Sequence, residues 1–152
     1  MDEQLELIRV TEPLDEWVAD VGRLLAQLTT RSITFTRADL EALVASDASW
    51  LYLARLGGTT VGMATIGTYL APTGRKYWLE DVVVDVSCRG RGVARTMLGA
   101  IAATLEGGTT AKLYLTSNPA RVAANRLYQS MGFERKVTNV YCSTLPLPAT
   151  HR

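Results

Sequence analysis

Apolar residues in the first third of the chain recur every three or four positions, which is the period of an amphipathic helix. A weakly alternating segment at residues 5–10 comes first and predicts a strand. The residues after Pro13 predict a helix whose apolar face consists of Trp17, Val21, Leu24, Leu25 and Leu28. Thr36 is a suitable N-cap for a second, shorter helix. The apolar positions of this second helix are Leu40, Leu43 and Val44.

The middle of the chain predicts three strands joined by tight turns. The first strand covers residues 50–56 and is followed by Gly57-Gly58, a pair that supplies the positive φ angles of a hairpin turn. The second covers residues 61–70, and a turn at residues 72–74 leads to the third, at residues 77–86. Because the third strand contains three consecutive valines, we expect it to be buried on both faces, as at the centre of a sheet.

The last third of the chain predicts helices alternating with strands. A helix begins at Gly90 and ends at Gly107-Gly108. Its apolar face consists of Ala94, Met97, Leu98, Ile101, Ala102 and Leu105. Residues 112–116 predict the next strand. Asn118-Pro119 supplies the cap and first-turn residues of another helix, and Gly132 occupies its C′ position.

Two further strands are predicted near residues 134–137 and 139–145. The complete order is then β-α-α-β-β-β-α-β-α-β-β, with about seven strands and four helices in a single domain over residues 1–152. A run of consecutive strands followed by one β-α-β crossover predicts an α/β (α+β) fold. Its sheet is expected to be mixed and mostly antiparallel, unlike that of a doubly wound fold.

Length, charge and composition exclude several classes of function. The chain has 152 residues, and its 16 basic and 15 acidic residues give a formal net charge of +1. This balance gives no reason to expect a nucleic acid or an anionic membrane as a partner. No apolar run approaches the roughly 20 residues of a membrane span, and the acidic start of the chain is unlike a signal peptide.

Cysteine and histidine usage narrows the chemistry further. Cys88 and Cys142 lie far apart and form no CxxC pair, which favours free thiols in the reducing cytoplasm. The only histidine is His151. Zinc sites and Ser-His or Cys-His nucleophiles require ligands or bases that the chain lacks, so we expect no metal.

The segment that follows the third strand of the middle region has the features of a phosphate-binding helix start. Residues 85–95 lead from a buried strand into Gly-Arg-Gly-Val-Ala, and the first N–H groups of a helix have no internal partner. Gly90, Gly92 and Ala94 would let a ligand approach this backbone closely. The charged residues of the same turn are Arg89, Arg91 and Arg95. This combination suits a pyrophosphate.

Other phosphate motifs fit the segment less well. A GxGxxG dinucleotide fingerprint beginning at Gly90 would need a small residue where Arg95 stands. No GxxxxGK[ST] motif occurs in the chain. The arginines could instead be solvated, or could bind RNA, although the near-neutral charge of the chain argues against RNA.

The same segment resembles a family signature. Arg89-Gly90-Arg91-Gly92-Val93-Ala94 is similar to the (Q/R)xxGx(G/A) pattern of the GNAT family of N-acetyltransferases. Residues 79–85 look like the central strand of that family, and residues 123–133 are similar to its C-terminal N-x-L-Y-x-x-x-G-F helix. The predicted element order resembles that of the family along nearly the whole chain. The resemblance implies the GNAT fold and acetyl-CoA (coenzyme A) as the acyl donor.

The resemblance also implies how acetyl-CoA would be held. In the family the pantetheine arm inserts beside the central strand, which here brings in Val82, Val83 and Val84. The N–H of Val84 would polarise the thioester carbonyl, an oxyanion-hole role. The pyrophosphate would lie on the loop and the first helical turn. The residues of that site are Arg89, Gly90, Arg91, Gly92, Val93, Ala94 and Arg95.

Catalytic roles follow from the same resemblance. Tyr128 occupies the position of the family's general acid, and a phenol is protonated at neutral pH. Asn125 could bond a pantetheine amide, whereas Asn118 is either a helix cap or a cofactor contact. Glu80 is either the general base, acting directly or through water, or a structural carboxylate. Strand alternation would place Glu80 and Asp81 on opposite faces, so only one could border the acceptor site.

The acceptor pocket is expected from residues 29–35, 69–75 and 137–141. Aromatic residues that could line the pocket, or belong to the core, are Tyr69, Tyr77 and Trp78. The sequence thus predicts an N-acetyltransferase acting on a primary amine of a small molecule or peptide by direct attack in a ternary complex. The alternative is an acyl-CoA-sensing module without turnover. The final strands offer edges that a homodimer would cover.

Overall fold

The computed structural model describes residues 4–150, so His151 lies outside the described residues. The helices and strands are β1 (Glu6–Arg9), α1 (Asp15–Leu28), α2 (Arg37–Ala45), β2 (Ser49–Leu56), β3 (Thr59–Ala71), β4 (Gly74–Val84), α3 (Val93–Ala103), β5 (Lys112–Tyr114) and α4 (Val122–Ser130). Short 3-10 turns lie at Val86–Cys88 and Gly108–Thr110. Among these helices, none combines the length and the apolar composition that crossing a bilayer requires.

The five strands form one sheet in the order β1-β2-β3-β4-β5. Every neighbouring pair is antiparallel except β4 and β5, which are parallel. A parallel pair needs a crossover connection, which α3 provides between the two strands. The mixed, mostly antiparallel sheet and the single β-α-β unit are therefore confirmed.

Helices cover both faces of the sheet, because alternate residues of the central strands point to opposite sides. Leu51 and Leu53 pack in a cluster with residues of α1 and α2. Tyr52 and Ala54, their neighbours in β2, pack in a second cluster with residues of α3 and α4. Each fully buried leucine contributes about 1.5–3 kcal/mol to stability.

Local sequence patterns predicted several helix and turn boundaries correctly. The Thr36 hydroxyl accepts a hydrogen bond from the Asp39 backbone N–H, and the Asp39 carboxylate accepts one from the Thr36 N–H, which forms a capping box for α2. Gly57 and Gly58 both have positive φ in the β2–β3 hairpin turn. Gly132 has φ 96° after α4, as a C′ glycine should.

The starts of the last two helices differ from the prediction. Helix α3 begins at Val93, because Gly92 stands at the N-cap with φ 77°, and it ends at Ala103, before Gly107. Helix α4 begins at Val122. Asn118 caps only the preceding turn, where its Oδ1 accepts from the Ala120 N–H at 2.9 Å.

The prediction of about seven strands is wrong, since the described chain contains five. Residues 134–145 form no strand, although their composition favours one. A strand exists only where its backbone pairs with a neighbour, and these residues pair with none in the described chain. The large apolar side chains of residues 134–147 are exposed: Val137, Val140, Tyr141, Leu145 and Leu147.

Candidate active site

Strand β4 continues well beyond its short ladder with β5. They pair only between Lys76–Trp78 and Lys112–Tyr114, so β4 from Leu79 to Val84 has no neighbour on its β5 side. On the other side, Val84 faces Gly62 of β3, and the Asp85 N–H donates to the Val61 carbonyl at 2.7 Å. This pattern makes Gly62 and Val84 a non-hydrogen-bonded pair, so the Val84 N–H points into the gap.

A β-bulge lies on β4 beside the gap. Met63 pairs with Val83 and Thr65 pairs with Glu80, so β4 contains one residue more than β3 over this stretch. At this bulge Asp81 has φ 50°, which is the only positive φ at a non-glycine residue among those described. This conformation breaks the alternation of the strand.

The gap opens into a cavity of about 310 Å³ that residues of α1, β4 and α4 border. The residues that border the cavity are Leu25, Leu28, Thr29, Arg31, Ile33, Leu79, Glu80, Asp81, Val82, Leu115, Thr116, Arg121 and Tyr128. Glu80 and Asp81 both border it, so the expectation that alternation would admit only one of them is wrong. The bulge is the reason, because it turns Asp81 out of the regular pleat.

The expected acceptor segments contribute unequally to this cavity. Loop residues 29–35 supply Thr29, Arg31 and Ile33, whereas residues 69–75 and 137–141 do not border it. Tyr77 is a core residue whose hydroxyl donates to the Glu106 carbonyl at 2.6 Å. Two other aromatic residues, Trp78 and Tyr114, stack on each other with centroids 4.9 Å apart, outside the cavity.

Tyr128 lies where α4 meets the cavity. Its ring is buried and packs edge-on against Phe133, with the centroids 6.0 Å apart. Burial raises the pKa of the Tyr128 phenol, and the nearby Arg121 guanidinium partly offsets this. The raised pKa keeps the phenol protonated at neutral pH, the form that can donate a proton.

The two carboxylates at the cavity have no side-chain partner among the described residues. Within residues 4–150, Glu80 and Asp81 take part in none of the ion pairs or side-chain hydrogen bonds. Both residues are exposed. The cavity therefore presents two acidic groups to any solute, with Arg31 and Arg121 at other points of its border.

The loop before α3 has the geometry of an anion site. Gly90 and Gly92 have φ 76° and 77°, and a Cβ added at either position would meet no atom within 4 Å. The first bond of the helix runs from the Thr96 N–H to the Gly92 carbonyl, which leaves the amides of the preceding turn without helical partners. Open space above unpaired amides at a helix N-terminus fits a pyrophosphate.

The three arginines of this loop differ in their contacts. Arg89 Nε donates to the Val84 carbonyl at 3.2 Å, beside the gap. Arg95 Nη2 donates to Ser130 Oγ at 2.5 Å and so links α3 to α4. Arg91 Nη1 lies 4.0 Å from the sulfur of buried Cys88. All three are exposed, so their charges face solvent around the loop.

The sequence analysis did not identify Asp85 as the residue that fixes the start of this loop. Asp85, directly after β4, accepts hydrogen bonds from Ser87, from Arg23 Nη1 at 2.6 Å and from Gln27 Nε2 at 3.1 Å. Gln27 Oε1 also accepts from the Val86 N–H at 2.8 Å. These bonds, above all those from Ser87, lower the pKa of Asp85 from 3.8 to about 2. Helix α1 thereby holds the start of the loop, and the Asp-x-Ser spacing was the only local signal of it.

The two asparagines near α4 serve the turn before that helix. Asn125 Nδ2 donates to the carbonyls of Asn118 and Arg121 at 2.9 and 2.8 Å. Both amide hydrogens of Asn125 are therefore used within the protein, and its Oδ1 remains as an acceptor. Asn118 is exposed in the turn itself.

Comparison with known proteins agrees with this geometry. The model of the Acetyltransferase (GNAT) family matches residues 16–133. The N-alpha-acetyltransferase RimI of Mycobacterium tuberculosis is 35% identical over 82 residues, which are 54% of this chain and 50% of RimI. The chain spans half or less of the length of the curated relatives it matches.

Solved structures share the fold. The aminoglycoside N-acetyltransferase AAC(6')-Iy in complex with CoA has a TM-score of 0.76 at 19% identity, covering 95% of this chain and 97% of its own. An acetyltransferase from Agrobacterium tumefaciens has a TM-score of 0.78 at 23% identity, covering 91% and 99%.

Proposed function

Because the chain belongs to the acetyltransferase (GNAT) family, we propose that it moves the acetyl group of acetyl-CoA to a primary amine of a small molecule or peptide. The amine attacks the thioester directly while both substrates are bound. The observation that carries the proposal is the unpaired edge of β4. It runs from the glycine loop, which is residues 85–92 before α3, into a cavity bordered by a protonated Tyr128.

Acetyl-CoA would lie along the gap between β4 and β5. The backbone of Val82 and Val84 would pair with the pantetheine amides as a missing strand would, and Val83 packs into the core beneath. The amides from Gly90 to Arg95, with the neighbouring arginines, would bind the pyrophosphate. The fold supports this placement, because AAC(6')-Iy has been solved with CoA.

Two groups would act on the acetyl donor. The Val84 N–H points into the gap and would donate to the thioester carbonyl, which gains negative charge as the amine attacks. Tyr128 would pass its phenolic proton to the departing sulfur. Its raised pKa suits this role, because a phenol that holds its proton in the resting site is available when the thiolate leaves.

The carboxylates of Glu80 and Asp81 would act on the acceptor amine. An amine is largely an ammonium ion at neutral pH, and Glu80 and Asp81 would attract that cation to the cavity. Glu80 would then take the proton, directly or through water, and release the neutral nucleophile. An amino group of a peptide and one of a small molecule both satisfy this requirement, and the similar proteins include one of each kind by name.

The chain is proposed to work in the cytoplasm as one domain. Both cysteines are free, Cys88 being buried and Cys142 exposed. An exposed free thiol is typical of a reducing compartment. Nothing in the balance of charge favours a nucleic acid or a membrane as partner.

The test is thermal unfolding with acetyl-CoA, CoA, NAD and ATP, followed by an acetylation assay on a panel of amines. The diagnostic variant is Ala94→Glu, which places a carboxylate at the anion site, where the helix dipole tolerates it in the free protein. Gly99→Glu is the control, because it adds the same charge at an exposed position of the same helix.

The two CoA ligands at about 100 times their Kd should stabilise the native chain and Gly99→Glu by about 2.7 kcal/mol, and Ala94→Glu far less. Equal stabilisation of all three proteins, or none, would refute the proposed site. Stabilisation without turnover on any amine would favour an acyl-CoA sensor instead.

A further inference from the structure

One face of the sheet is open to solvent toward the β3–β4 turn. Gly67 is half-buried and Tyr69 is exposed, whereas Ile66 and Thr68 in the same strand are buried. Because successive residues of a strand point to opposite faces, one face is covered here and the other is open. By the same alternation Met63 belongs to the open face, and farther along the strand it packs with residues of α1 and α2. The open area therefore continues from the face that those two helices cover.

A stacked aromatic pair stands on this open face beside a glycine. Trp78 of β4 lies opposite Gly67 of β3 and opposite Tyr114 of β5. One face of the indole stacks on Tyr114, and its Nε1 donates to the Tyr69 hydroxyl at 3.4 Å. Since β4 lies between β5 and β3, the other face of the indole is turned toward Gly67, where an added Cβ would meet no atom within 4 Å. We call this space beside the indole the aromatic slot.

Charged residues lie at the two ends of the aromatic slot. Glu80 follows Trp78 by two residues on the same face, about 6.6 Å along the strand, and it borders the cavity. Lys76 precedes Trp78 by two residues, and Lys112 is its register partner on β5. Neither lysine takes part in the ion pairs found within residues 4–150. The slot is therefore acidic at the cavity end and basic at the other end.

We propose that the acceptor is an arylalkylamine, with its planar ring in the aromatic slot against Trp78 and its ammonium group at Glu80. A flat ring fits beside an indole whose neighbour is a glycine, and aromatic rings stack favourably on each other. Two or three carbons between ring and nitrogen span the distance of about 6.6 Å along the strand. An acidic substituent at the far side of the ring would meet Lys76 and Lys112. A polyamine would place a second cation there and be repelled.

This inference rests on the proposed acetyl transfer and adds the class of acceptor to it. In the transfer the amine nitrogen bonds to the acetyl carbon as the carbon–sulfur bond breaks. The nitrogen gives up two protons, of which one passes through Glu80 to solvent and the other replaces the proton that Tyr128 gives to sulfur. The ring lies away from the reacting atoms, so its contacts are the same before and during the transfer. The slot should therefore set KM and leave kcat unchanged.

Steady-state kinetics on matched amines tests the slot. Phenethylamine carries a planar ring, and cyclohexylethylamine carries a puckered ring of similar size on the same chain. For the native protein KM should be about 2–10-fold lower for phenethylamine, the range that aromatic stacking supplies, and spermidine should be the poorest acceptor. Trp78→Leu should remove the difference in KM between the two ring amines with kcat retained. Trp50→Leu is the control, because Trp50 packs on the opposite face of the sheet, and it should keep the difference.

A second variant tests the basic end of the slot at a position independent of Trp78. The acceptor for this test is para-carboxyphenethylamine, which adds a carboxylate to the ring of phenethylamine. The native protein should have the lower KM for the carboxylated amine, and Lys76→Glu should reverse that order. Calorimetric titration of the same amine into each protein in the presence of CoA measures binding without turnover.

The outcomes separate this inference from the proposed function. Equal KM values for the planar and the puckered ring in the native protein would overturn the slot and leave acetyl transfer standing. A preference that persists in both Trp78→Leu and Lys76→Glu would do the same. Binding that depends on Trp78, without acetylation of any amine, would refute acetyl transfer and support the slot. Neither binding nor turnover would overturn both.

Discussion

The anchor of the glycine loop gives a prediction whose size can be worked out. Asp85→Asn keeps the shape of the side chain but removes the negative charge of the carboxylate. That carboxylate accepts hydrogen bonds from Ser87, Gln27 and Arg23. The folded protein lowers the pKa of Asp85 from 3.8 to about 2. At about 1.4 kcal/mol for each pKa unit, this difference corresponds to at most about 2.5 kcal/mol.

The side chain of Asp85 is 14% exposed, so solvent screens part of the interaction, and we expect a loss of about 1–2 kcal/mol at pH 7. The sign follows from proton linkage. Because the folded-state pKa is the lower one, the unfolded chain binds a proton first as the pH falls. The stabilisation is therefore complete above the unfolded pKa of 3.8 and disappears as the pH falls through about 2.

Urea denaturation at several pH values measures this difference. The free energy of unfolding of Asp85→Asn should lie below that of the native chain at pH 7, and the two should converge at the acidic end. Asp47→Asn removes the same charge at an exposed residue whose side chain forms none of the hydrogen bonds found in residues 4–150. It should leave the stability unchanged. A deficit for Asp85→Asn that stays constant from pH 7 to pH 2 would refute the electrostatic reasoning.

Two more predictions concern the site. Tyr128→Phe should lower kcat about 10²–10⁴-fold with acetyl-CoA binding retained, because only the transferable proton is lost. Steady-state kinetics measures kcat and calorimetry measures acetyl-CoA binding. An unchanged kcat would show that Tyr128 has no catalytic role. Asp81→Val should destabilise the protein by about 1–2 kcal/mol, because a β-branched residue fits the left-handed conformation poorly. Glu80→Val is its control in denaturation, and an equal loss for both would contradict a backbone origin.

Features that depend on neighbouring residues in sequence could be predicted. The capping box of Thr36, the Gly57-Gly58 turn and the glycine loop before α3 each follow from a few adjacent side chains. The sheet arrangement followed from element order, because short connections favour antiparallel neighbours and α3 forces one parallel pair.

Features that depend on distant contacts could not be predicted. The bond between Arg23 and Asp85 joins residues 62 positions apart, and no pattern near either one indicates it. The bulge at Asp81 follows from how β3 and β4 pair, which strand periodicity does not encode. The strands predicted after residue 133 have suitable composition, but a partner decides whether such a segment becomes a strand.

The three-residue pairing between β4 and β5 divides the sheet mechanically. On one side lie β1 to β4, and on the other lies β5, whose ladder with β4 covers only Lys76–Trp78. Helix α4 is held separately, by the bond between Arg95 and Ser130 and by the burial of Tyr128. So short a seam should be the first place where amide hydrogens exchange with solvent, well before the core of β3. A molecule bound across the gap would therefore hold the two sides of the gap together. Part of its binding free energy would offset the conformational entropy that this part of the protein loses on binding.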